Sequence, residues 1–282
     1  MSAEQRAERA EPLPTTSGEP LPGPVHEPLP TTSGEPLPGP VHEPLSSTVR
    51  EQLARAGSST VANMLLRHGL RNVLMAGVRP LTRGGAPMVG PASTLRFIPA
   101  REDLDSLAAY ASSAHLHRRA IEECPSGAVL VIDAFGSRAG ASMGDMMAAR
   151  LRRRGVSGVV TDGGYRDSGA IAGTGLPCFH RGNAPAATPL ALHPVALDEP
   201  VGCGGVAVYP GDVVLGDDDG VAVIPRHLAA EVAAQAADAA AYEEFAALGI
   251  RRGRSLFGLF PGTPESRQEY DTWVASGRPD WE

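Results

Sequence analysis

The segment GDMMAARLRRRGVSGVVTDGGYRD, residues 144–167, determines how the rest of the chain is interpreted. Apolar residues recur at helical spacing over 145–154 while arginines occupy the other faces, which predicts a helix. Gly155 ends that helix, and the β-branched run 156–161 predicts a short buried strand. The segment is therefore predicted to form a helix, a strand and a polar turn.

Charged residues stand at both ends of this segment. Asp145 opens the helix, and the adjacent pair Arg166 and Asp167 follows the strand. A helix of about ten residues and a strand of about five both measure roughly 15 Å, at 1.5 Å and 3.3 Å per residue. If the two run antiparallel, these ends lie at one edge of the fold, and we expect the three residues to share one pocket. Taken alone, an Asp beside an Arg is also typical of a surface ion pair, and Asp162 is expected to cap its own turn.

Composition sets the broad class of the protein. The chain has 282 residues, of which 42% are hydrophobic and 20% charged, so it can bury one sizeable core. No apolar run approaches the roughly 18 residues needed to span a bilayer, and no secretory signal pattern opens the sequence. The net charge of -7 disfavours nucleic acid as a direct ligand. We therefore expect a soluble cytoplasmic protein with neither a membrane nor a nucleic acid as partner.

The basic residues and cysteines exclude several kinds of chemistry. All 25 basic residues are arginine, whereas Schiff-base aldolases, pyridoxal enzymes and P-loop nucleotide binders need a lysine amine. The cysteines Cys124, Cys178 and Cys203 are odd in number and have no C-x-x-C spacing. This pattern favours buried free thiols over a disulfide framework or a structural zinc site.

The N-terminal 45 residues differ in composition from the rest of the chain. The 16-residue unit EPLPTTSGEPLPGPVH occurs twice in tandem, at 11–26 and 27–42. Proline every few residues with little aliphatic content predicts a disordered, partly polyproline-II tail. We therefore expect a Pro-rich tail over 1–45, a neutral linker or a PxxP-type ligand, and a folded domain over 46–282.

The first part of the domain is predicted to be largely helical. Residues 49–68 indicate two short helices, the second capped by a hydroxyl residue at 58–60. A longer helix is predicted over 103–123. It contains His115 and His117, whose i, i+2 spacing places them on different faces, so they are not expected to share a metal.

Later segments suggest a loop that binds anions and a region rich in strands. The glycine-rich run 136–144 leads into a helix N-terminus, which suits an anionic oxygen, although a simple tight connection explains it equally well. Residues 200–225 predict strands with tight turns, and the acidic DDDG at 217–220 is expected to be a hairpin turn rather than a metal site. An alanine-rich helix over 227–248 and a C-terminal arm complete the prediction. The arm is expected to wrap the domain or to pack on a neighbouring subunit.

The opening segment resembles a known family. It carries the Asp-x20-Arg-Asp pattern of the RraA-like proteins, which include the class II 4-hydroxy-4-methyl-2-oxoglutarate/4-carboxy-4-hydroxy-2-oxoadipate aldolases. The resemblance extends from about residue 58 through GPASTLRF, SGAVLVID and PVGCGGVAVYPGDVVLGDDDGVAVIP to Glu244. It implies an α/β fold, a β/β/α swivelling-domain-type sandwich with flanking helices.

The resemblance also implies a site. At this implied site, Asp167 holds a divalent metal, Mg²⁺ or Mn²⁺, and Arg166 binds a small 2-keto acid. Asp145 is implied to lie near the water that carries protons. The family's homotrimers or hexamers place sites between subunits, where Glu244, or alternatively Glu243, of a neighbour contributes to the metal site. The backbone N–H groups implied to contact the substrate belong to Gly144, Asp145, Met146 and Met147.

The implied activity is that of a class II carbon–carbon lyase. It cleaves a 4-hydroxy-2-keto acid to pyruvate and a second carbonyl compound, and oxaloacetate decarboxylation passes through the same pyruvate enolate. Because the chain has no lysine, a metal ion is the electron sink expected for such a reaction. Two alternatives stay open. One is a non-catalytic regulator that binds an RNA-degrading enzyme, as one branch of the family does; the other, a methyltransferase, lacks the glycine-rich motif that a methyl-donor site needs.

Overall fold

The computed structural model of the chain describes residues 43–278, so nearly all of the predicted Pro-rich tail lies outside the described residues. The helices are α1 (Ser47–Arg67), α2 (Leu107–Ala111), α3 (Leu116–Glu123), α4 (Asp145–Arg153), α5 (Ser168–Gly173), α6 (Ala229–Arg251) and α7 (Pro264–Ala275). The strands are β1 (Arg79–Pro80), β2 (Met88–Pro99), β3 (Val129–Asp133), β4 (Ala141–Met143), β5 (Gly158–Thr161), β6 (Gly164–Tyr165), β7 (Cys178–His180), β8 (Gly182–Asn183), β9 (Leu192–Leu197), β10 (Val201–Cys203), β11 (Val206–Val208), β12 (Val213–Gly216) and β13 (Val221–Ile224). Within this range, no helix combines the length and apolar character required to traverse a lipid bilayer.

A large mixed sheet forms the centre of the fold. Its strands are ordered β1-β7-β5-β3-β2-β12-β13, and β9 also pairs with β2. The neighbours from β2 to β7 run parallel, whereas β1, β9, β12 and β13 are joined by antiparallel pairs. A second, parallel sheet has the order β4-β6-β8, and β10 and β11 form a separate hairpin. The predicted α/β class is confirmed.

Strand β3 separates two layers of the core. Its alternate residues Leu130 and Ile132 pack with side chains of α3, α4 and α5, while Val129 and Val131 pack with β10 and β11 on the other face. All four are completely buried, as expected of a central parallel strand covered on both sides. Because β3 and β5 run parallel, the intervening α4 must run back along the sheet, which is the arrangement predicted for 145–161.

Helix α1 contains the break that the sequence predicted. Gly57 has φ 79° and ψ 164°, a conformation suited to glycine, and it divides α1 into two helical halves. The predicted capping residue was wrong. The cap of the second half comes from the β12–β13 turn: Asp217 accepts hydrogen bonds from the Ser58 backbone N–H at 2.6 Å and from its hydroxyl at 2.7 Å. The acidic turn is a hairpin connection, as predicted, and it ties the sheet to α1.

Two further regions differ in how well they follow the sequence prediction. The single helix predicted over 103–123 is wrong, because the chain forms α2 and α3 separated by a turn at 112–115, where the Ser112 hydroxyl accepts the Ala114 N–H. The C-terminal arm packs on its own chain, since Tyr270 and Trp273 of α7 join Tyr242 of α6 in one buried cluster.

The expectation of buried free thiols is confirmed. Cys124, Cys178 and Cys203 are all unpaired and buried. Burial raises the pKa of Cys124 and of Cys178 to about 12, and it raises the pKa of Cys203 well above its usual range. These thiols are therefore protonated at neutral pH and serve as small apolar side chains.

The Asp217 cap leads to a stability prediction. Asp217→Ala removes a charged acceptor from two hydrogen bonds to Ser58 and from the N–H groups of Asp219 and Gly220 in its own turn, and we expect the free energy of unfolding to fall by about 2–3 kcal/mol. The matched control is Asp219→Ala, which removes one exposed bond to Ser59 and should cost less than about 1 kcal/mol. Urea unfolding followed by circular dichroism measures both, and equal losses would contradict the capping role.

Candidate functional site

The pairing of β4 with β6 sets the positions of the candidate residues. Ala141 pairs with Gly164 and Met143 with Tyr165, and the Arg166 N–H donates to the Met143 carbonyl at 3.2 Å. Tyr165 is completely buried, and its hydroxyl lies 2.9 Å from the Phe179 carbonyl oxygen. These contacts fix the backbone up to Arg166, and they place Arg166 and Asp167 directly beside the start of α4.

Gly144 brings the two halves of the site into contact. Its φ of -126° and ψ of -177° are extended values open to any residue, so the backbone does not require glycine here. Glycine is required because of the limited space: a Cβ at this position would lie 3.0 Å from Arg166 Nε and 3.3 Å from Asp167 Oδ2. The missing side chain therefore lets the Arg166–Asp167 pair pack against the N-terminus of α4.

Arg166 and Asp167 form an ion pair that leaves further donor and acceptor atoms of both side chains unbonded. Arg166 Nε donates to Asp167 Oδ2 at 3.0 Å, and both side chains are a little under half exposed. Among residues 43–278 this is the one hydrogen bond that either side chain makes, so the other N–H groups of Arg166 and the Oδ1 of Asp167 have no hydrogen-bond partner there. Asp167 also has a left-handed backbone, φ 54° and ψ 36°, an uncommon conformation that clusters at functional sites.

Helix α4 presents its N-terminus at the same place. Its N-cap, Gly144, has no side chain to satisfy the first N–H groups, and Asp145 accepts the Met146 N–H at 2.8 Å. Exposed N–H groups and the positive end of the helix dipole favour an anion here. Next to it lies a cavity of about 290 Å³, lined by Leu107, Tyr110, Gly144, Asp145, Met146, Met147, Arg166, Ala187, Thr188 and Pro189.

The cavity brings together most of the predicted site residues. The four predicted N–H donors and Arg166 all line it, and Asp167 adjoins it through Gly144 and Arg166. The predicted proximity of Asp145 to the Arg166–Asp167 pair is therefore present. Glu244 does not line this cavity; it lies on α6 and forms an ion pair with Arg55 at 2.7 Å. The chemical roles of these residues stay predictions.

The opposite wall of the cavity was missed by sequence reasoning. It is formed by Leu107 and Tyr110 of α2 and by Thr188 and Pro189 of a short 3-10 turn. Burial raises the pKa of Tyr110, while a hydrogen bond to Thr188 and the nearby arginines act in the opposite direction. The one available clue was the serine pair at 112–113, a local helix breaker that separates Tyr110 from α3.

Comparisons with known proteins identify the family of the chain. A family model described as RraA-like, Aldolase/RraA, matches residues 58–223, which is more than half of the chain. The chain belongs to the RraA-like family. The matched region contains β4, α4, β6, the Arg166–Asp167 pair and every residue that lines the cavity.

Individual relatives of this RraA-like chain point in two directions. A protein of Halalkalibacterium halodurans named "Putative 4-hydroxy-4-methyl-2-oxoglutarate aldolase" is 35% identical over 158 residues, which cover 56% of this chain and 68% of that relative. The crystal structure of Streptomyces coelicolor RraAS2, described as an unusual member of the RNase ES inhibitor RraA protein family, is 35% identical. It has a TM-score of 0.63 and covers 75% of this chain and 99% of its own.

A third comparison concerns the fold alone. An uncharacterized protein from Pseudomonas syringae pv. tomato is 24% identical with a TM-score of 0.65, over 76% of this chain and 98% of its own. Together with RraAS2 it confirms the RraA-like architecture expected from the sequence.

Asp162 has a different role from the predicted one. It was expected to cap its own turn, but its buried carboxylate accepts the backbone N–H groups of Ala134 at 2.8 Å and Gly136 at 3.0 Å. Burial raises its pKa, and these bonds partly offset that effect. Asp162 therefore fixes the turn that leads from β3 towards β4, and β4 is one of the two strands that position the site.

His117 lies behind the Tyr110 wall. Its ring is completely buried, with its centroid 5.2 Å from that of Phe97 and 5.9 Å from that of Tyr110. Burial, assisted by the charge of His115, lowers the pKa of His117 from 6.5 to about 3. The ring is therefore neutral at physiological pH and acts as part of the core.

The lowered pKa of His117 predicts how stability depends on pH. Above pH 6.5 the ring is neutral in both states and contributes no pH dependence. As the pH falls from 6.5 towards 3, only the unfolded chain gains this proton, so the free energy of unfolding should fall by about 1.4 kcal/mol per pH unit. His117→Leu should flatten the slope by that amount in urea titrations between pH 6.5 and 4.5. An unchanged slope in this variant would contradict the assignment.

Proposed function

We propose that this RraA-like chain is a divalent-metal-dependent lyase. It cleaves a 4-hydroxy-2-keto acid to pyruvate and a second carbonyl compound, and it decarboxylates oxaloacetate as a side reaction. The observation that supports this most is the Arg166–Asp167 ion pair, which lies beside the N-terminus of α4, where the N-cap is a glycine, at a cavity of about 290 Å³. At roughly 30 Å³ per water, this space equals about ten waters, which is ample for pyruvate.

The donor atoms fit a hard cation. Asp167 offers a carboxylate oxygen with no hydrogen-bond partner in the described part of the chain, and Mg²⁺ and Mn²⁺ prefer oxygen ligands. No group of three His, Cys, Asp or Glu side chains in residues 43–278 is arranged to hold a metal. Mg²⁺ commonly binds through one or two carboxylates and keeps several waters, so Asp167 would hold it together with water and substrate oxygens. When bound, the cation supplies the electron sink that a chain without lysine cannot provide.

The residues of the chain account for substrate binding and charge stabilisation. Arg166 clamps the carboxylate of the keto acid with its planar guanidinium, whose fork of N–H donors matches the two carboxylate oxygens. The N–H groups at the start of α4 stabilise negative charge that develops on the pyruvate fragment. Asp145 lines the same cavity and orders the water through which protons move. Leu107 and Tyr110 cover the cavity from the other side and limit access of bulk water.

The proposed assembly is a homotrimer or hexamer. Glu244 does not line the cavity of its own chain, so it contributes to a site only when a second copy supplies it. Glu243 is the alternative carboxylate for this position. Glu244 is about half exposed, and it pairs with Arg55 at 2.7 Å through one carboxylate oxygen and with Arg278 at 3.8 Å through the other. A site in a neighbouring copy would have to draw Glu244 away from these arginines.

The second candidate is a non-catalytic regulator of an RNA-degrading enzyme. It is favoured by the 35% identity to RraAS2 over nearly all of that chain. A regulator needs a protein-binding face but not an ordered ion pair beside a cavity. The presence of Asp145, Arg166 and Asp167 around one cavity therefore favours the lyase.

Pyruvate release tests the proposal directly. The purified chain should release pyruvate from 4-hydroxy-4-methyl-2-oxoglutarate or oxaloacetate with Mg²⁺ or Mn²⁺, and EDTA should abolish the release after correction for background decarboxylation. Asp167→Ala should lose metal-dependent activity, and Arg166→Ala should lower kcat and raise KM, each with an unchanged circular dichroism spectrum. Full activity of Asp167→Ala would refute the metal assignment. No release from either compound, combined with capture of a ribonuclease, would favour the regulator.

Gly144 provides a second test that leaves every charged group in place. In Gly144→Ala the new Cβ meets the Arg166 side chain and the Asp167 carboxylate at 3.0–3.3 Å, while the backbone conformation is open to alanine. We expect kcat/KM for pyruvate release to fall by about 100-fold, because a displacement of about 1 Å in the site costs that much. Ala149→Gly in the exposed part of α4 is the control and should retain activity. Wild-type kinetics in Gly144→Ala would show that the close packing of the pair is unimportant.

A further inference from the structure

A second cavity adjoins the candidate site. It has a volume of about 330 Å³ and shares Tyr110, Met146 and Met147 with the first cavity. We call it the side cavity. Its remaining lining consists of Arg118, Ile121 and Glu122 of α3 and Arg150 of α4. Glu122 and Arg150 neutralise each other in an ion pair of 2.7 Å, which leaves Arg118 as the unpaired charge in this lining. The two cavities are therefore neighbouring compartments, separated by the ring of Tyr110 and the two methionines.

The walls nearest to the candidate site are apolar. Met146 is 79% exposed and Met147 is half-buried, although both lie in the first turn of α4 where polar residues are usual. Exposed methionines provide an adaptable apolar surface, and Ile121 extends that surface into the side cavity. This stretch suits a hydrocarbon segment of a ligand rather than a second polar group.

Arg118 gives the side cavity a guanidinium group that can still bind a ligand. Arg118 donates no hydrogen bond to any of residues 43–278, whereas its neighbour Arg119 is paired with Glu123 at 2.8 Å and Arg150 is paired with Glu122 at 2.7 Å. The charge of Arg118, like that of Arg166, acts on the Tyr110 hydroxyl against the effect of burial. Tyr110 lines both cavities, and each cavity has one of these guanidinium groups in its lining.

We propose that the side cavity binds the part of the substrate beyond the pyruvate unit, and that Arg118 binds a distal carboxylate on it. The inference rests on the proposed lyase function, and it names the substrate class as a 2-keto acid with an apolar spacer and a terminal acid. Arg166 holds the reacting end, the methionines and Ile121 contact the spacer, and Arg118 selects the charged end.

A matched pair of substrates tests this assignment. 4-Hydroxy-2-oxoheptanedioate and 4-hydroxy-2-oxoheptanoate share their chain length and differ in the terminal carboxylate. The wild-type protein with Mg²⁺ should prefer the diacid, and Arg118→Gln should lower kcat/KM for the diacid by about tenfold, through KM, while leaving the neutral-ended compound unchanged. Arg119→Gln, one residue along α3 and outside the side cavity, is the control and should change neither value.

The outcomes separate this inference from the lyase proposal. Equal cleavage of both compounds by the wild type, or an equal loss on both in Arg118→Gln, overturns the role of Arg118 while the lyase stands. If neither compound is cleaved, the lyase proposal fails for this class. Calorimetry with the uncleavable 2-oxoheptanedioate and 2-oxoheptanoate then decides the binding role: weaker diacid affinity in Arg118→Gln alone supports it, and equal affinities in all variants reject it.

Discussion

The parallel pairing of β4 with β6 is the interaction on which the candidate site depends. It joins segments about twenty residues apart and fixes the last backbone positions before α4 and before the Arg166–Asp167 pair. On its other side β6 pairs with β8, and Gly164 permits that approach, because a Cβ there would lie 2.7 Å from that of Ala184 and 2.9 Å from the Gly182 carbonyl oxygen. Gly144 leaves the space in which Arg166 and Asp167 pack against the start of α4. One missing side chain thus makes room for two charged ones.

The groups that the pairing brings together are complementary in charge and geometry. Arg166 supplies a permanent, planar cation, and Asp167 supplies a carboxylate that still has an open oxygen. The end of α4 adds N–H groups whose direction is set by the helix. In the proposed reaction these groups are already assembled around the cavity, so little ordering would remain for the binding of a small anionic keto acid. The left-handed backbone of Asp167 is one cost of this arrangement.

The parts of the site that depend on residues close together in the sequence could be predicted. The change of period over 145–161 predicted α4 and β5, and comparison of their lengths placed Asp145 near the Arg166–Asp167 pair. Contacts between distant residues could not be found in this way. Asp217 caps a helix from 159 residues away, and that helix has three closer hydroxyl residues which local rules prefer.

The wall formed by Tyr110 was hidden for a related reason. The periodicity of 103–123 continues across the turn that divides α2 from α3, so the pattern predicts one helix and gives Tyr110 no special position. The family resemblance could not supply this residue either, because the motif that carries it covers the opposite wall.

Helix α2 buries none of its five residues, yet it contributes Leu107 and Tyr110 to the cavity. The two walls of the cavity therefore differ in how freely they can change during evolution. Substitutions in β4 or β6 disturb a packed interior and the ion pair together, and selection removes them. Substitutions in α2 alter the shape of the cavity with little effect on folding. Descendants of one ancestor can in this way acquire new substrates by remodelling a peripheral helix, while the chemistry of the opposite wall is inherited unchanged.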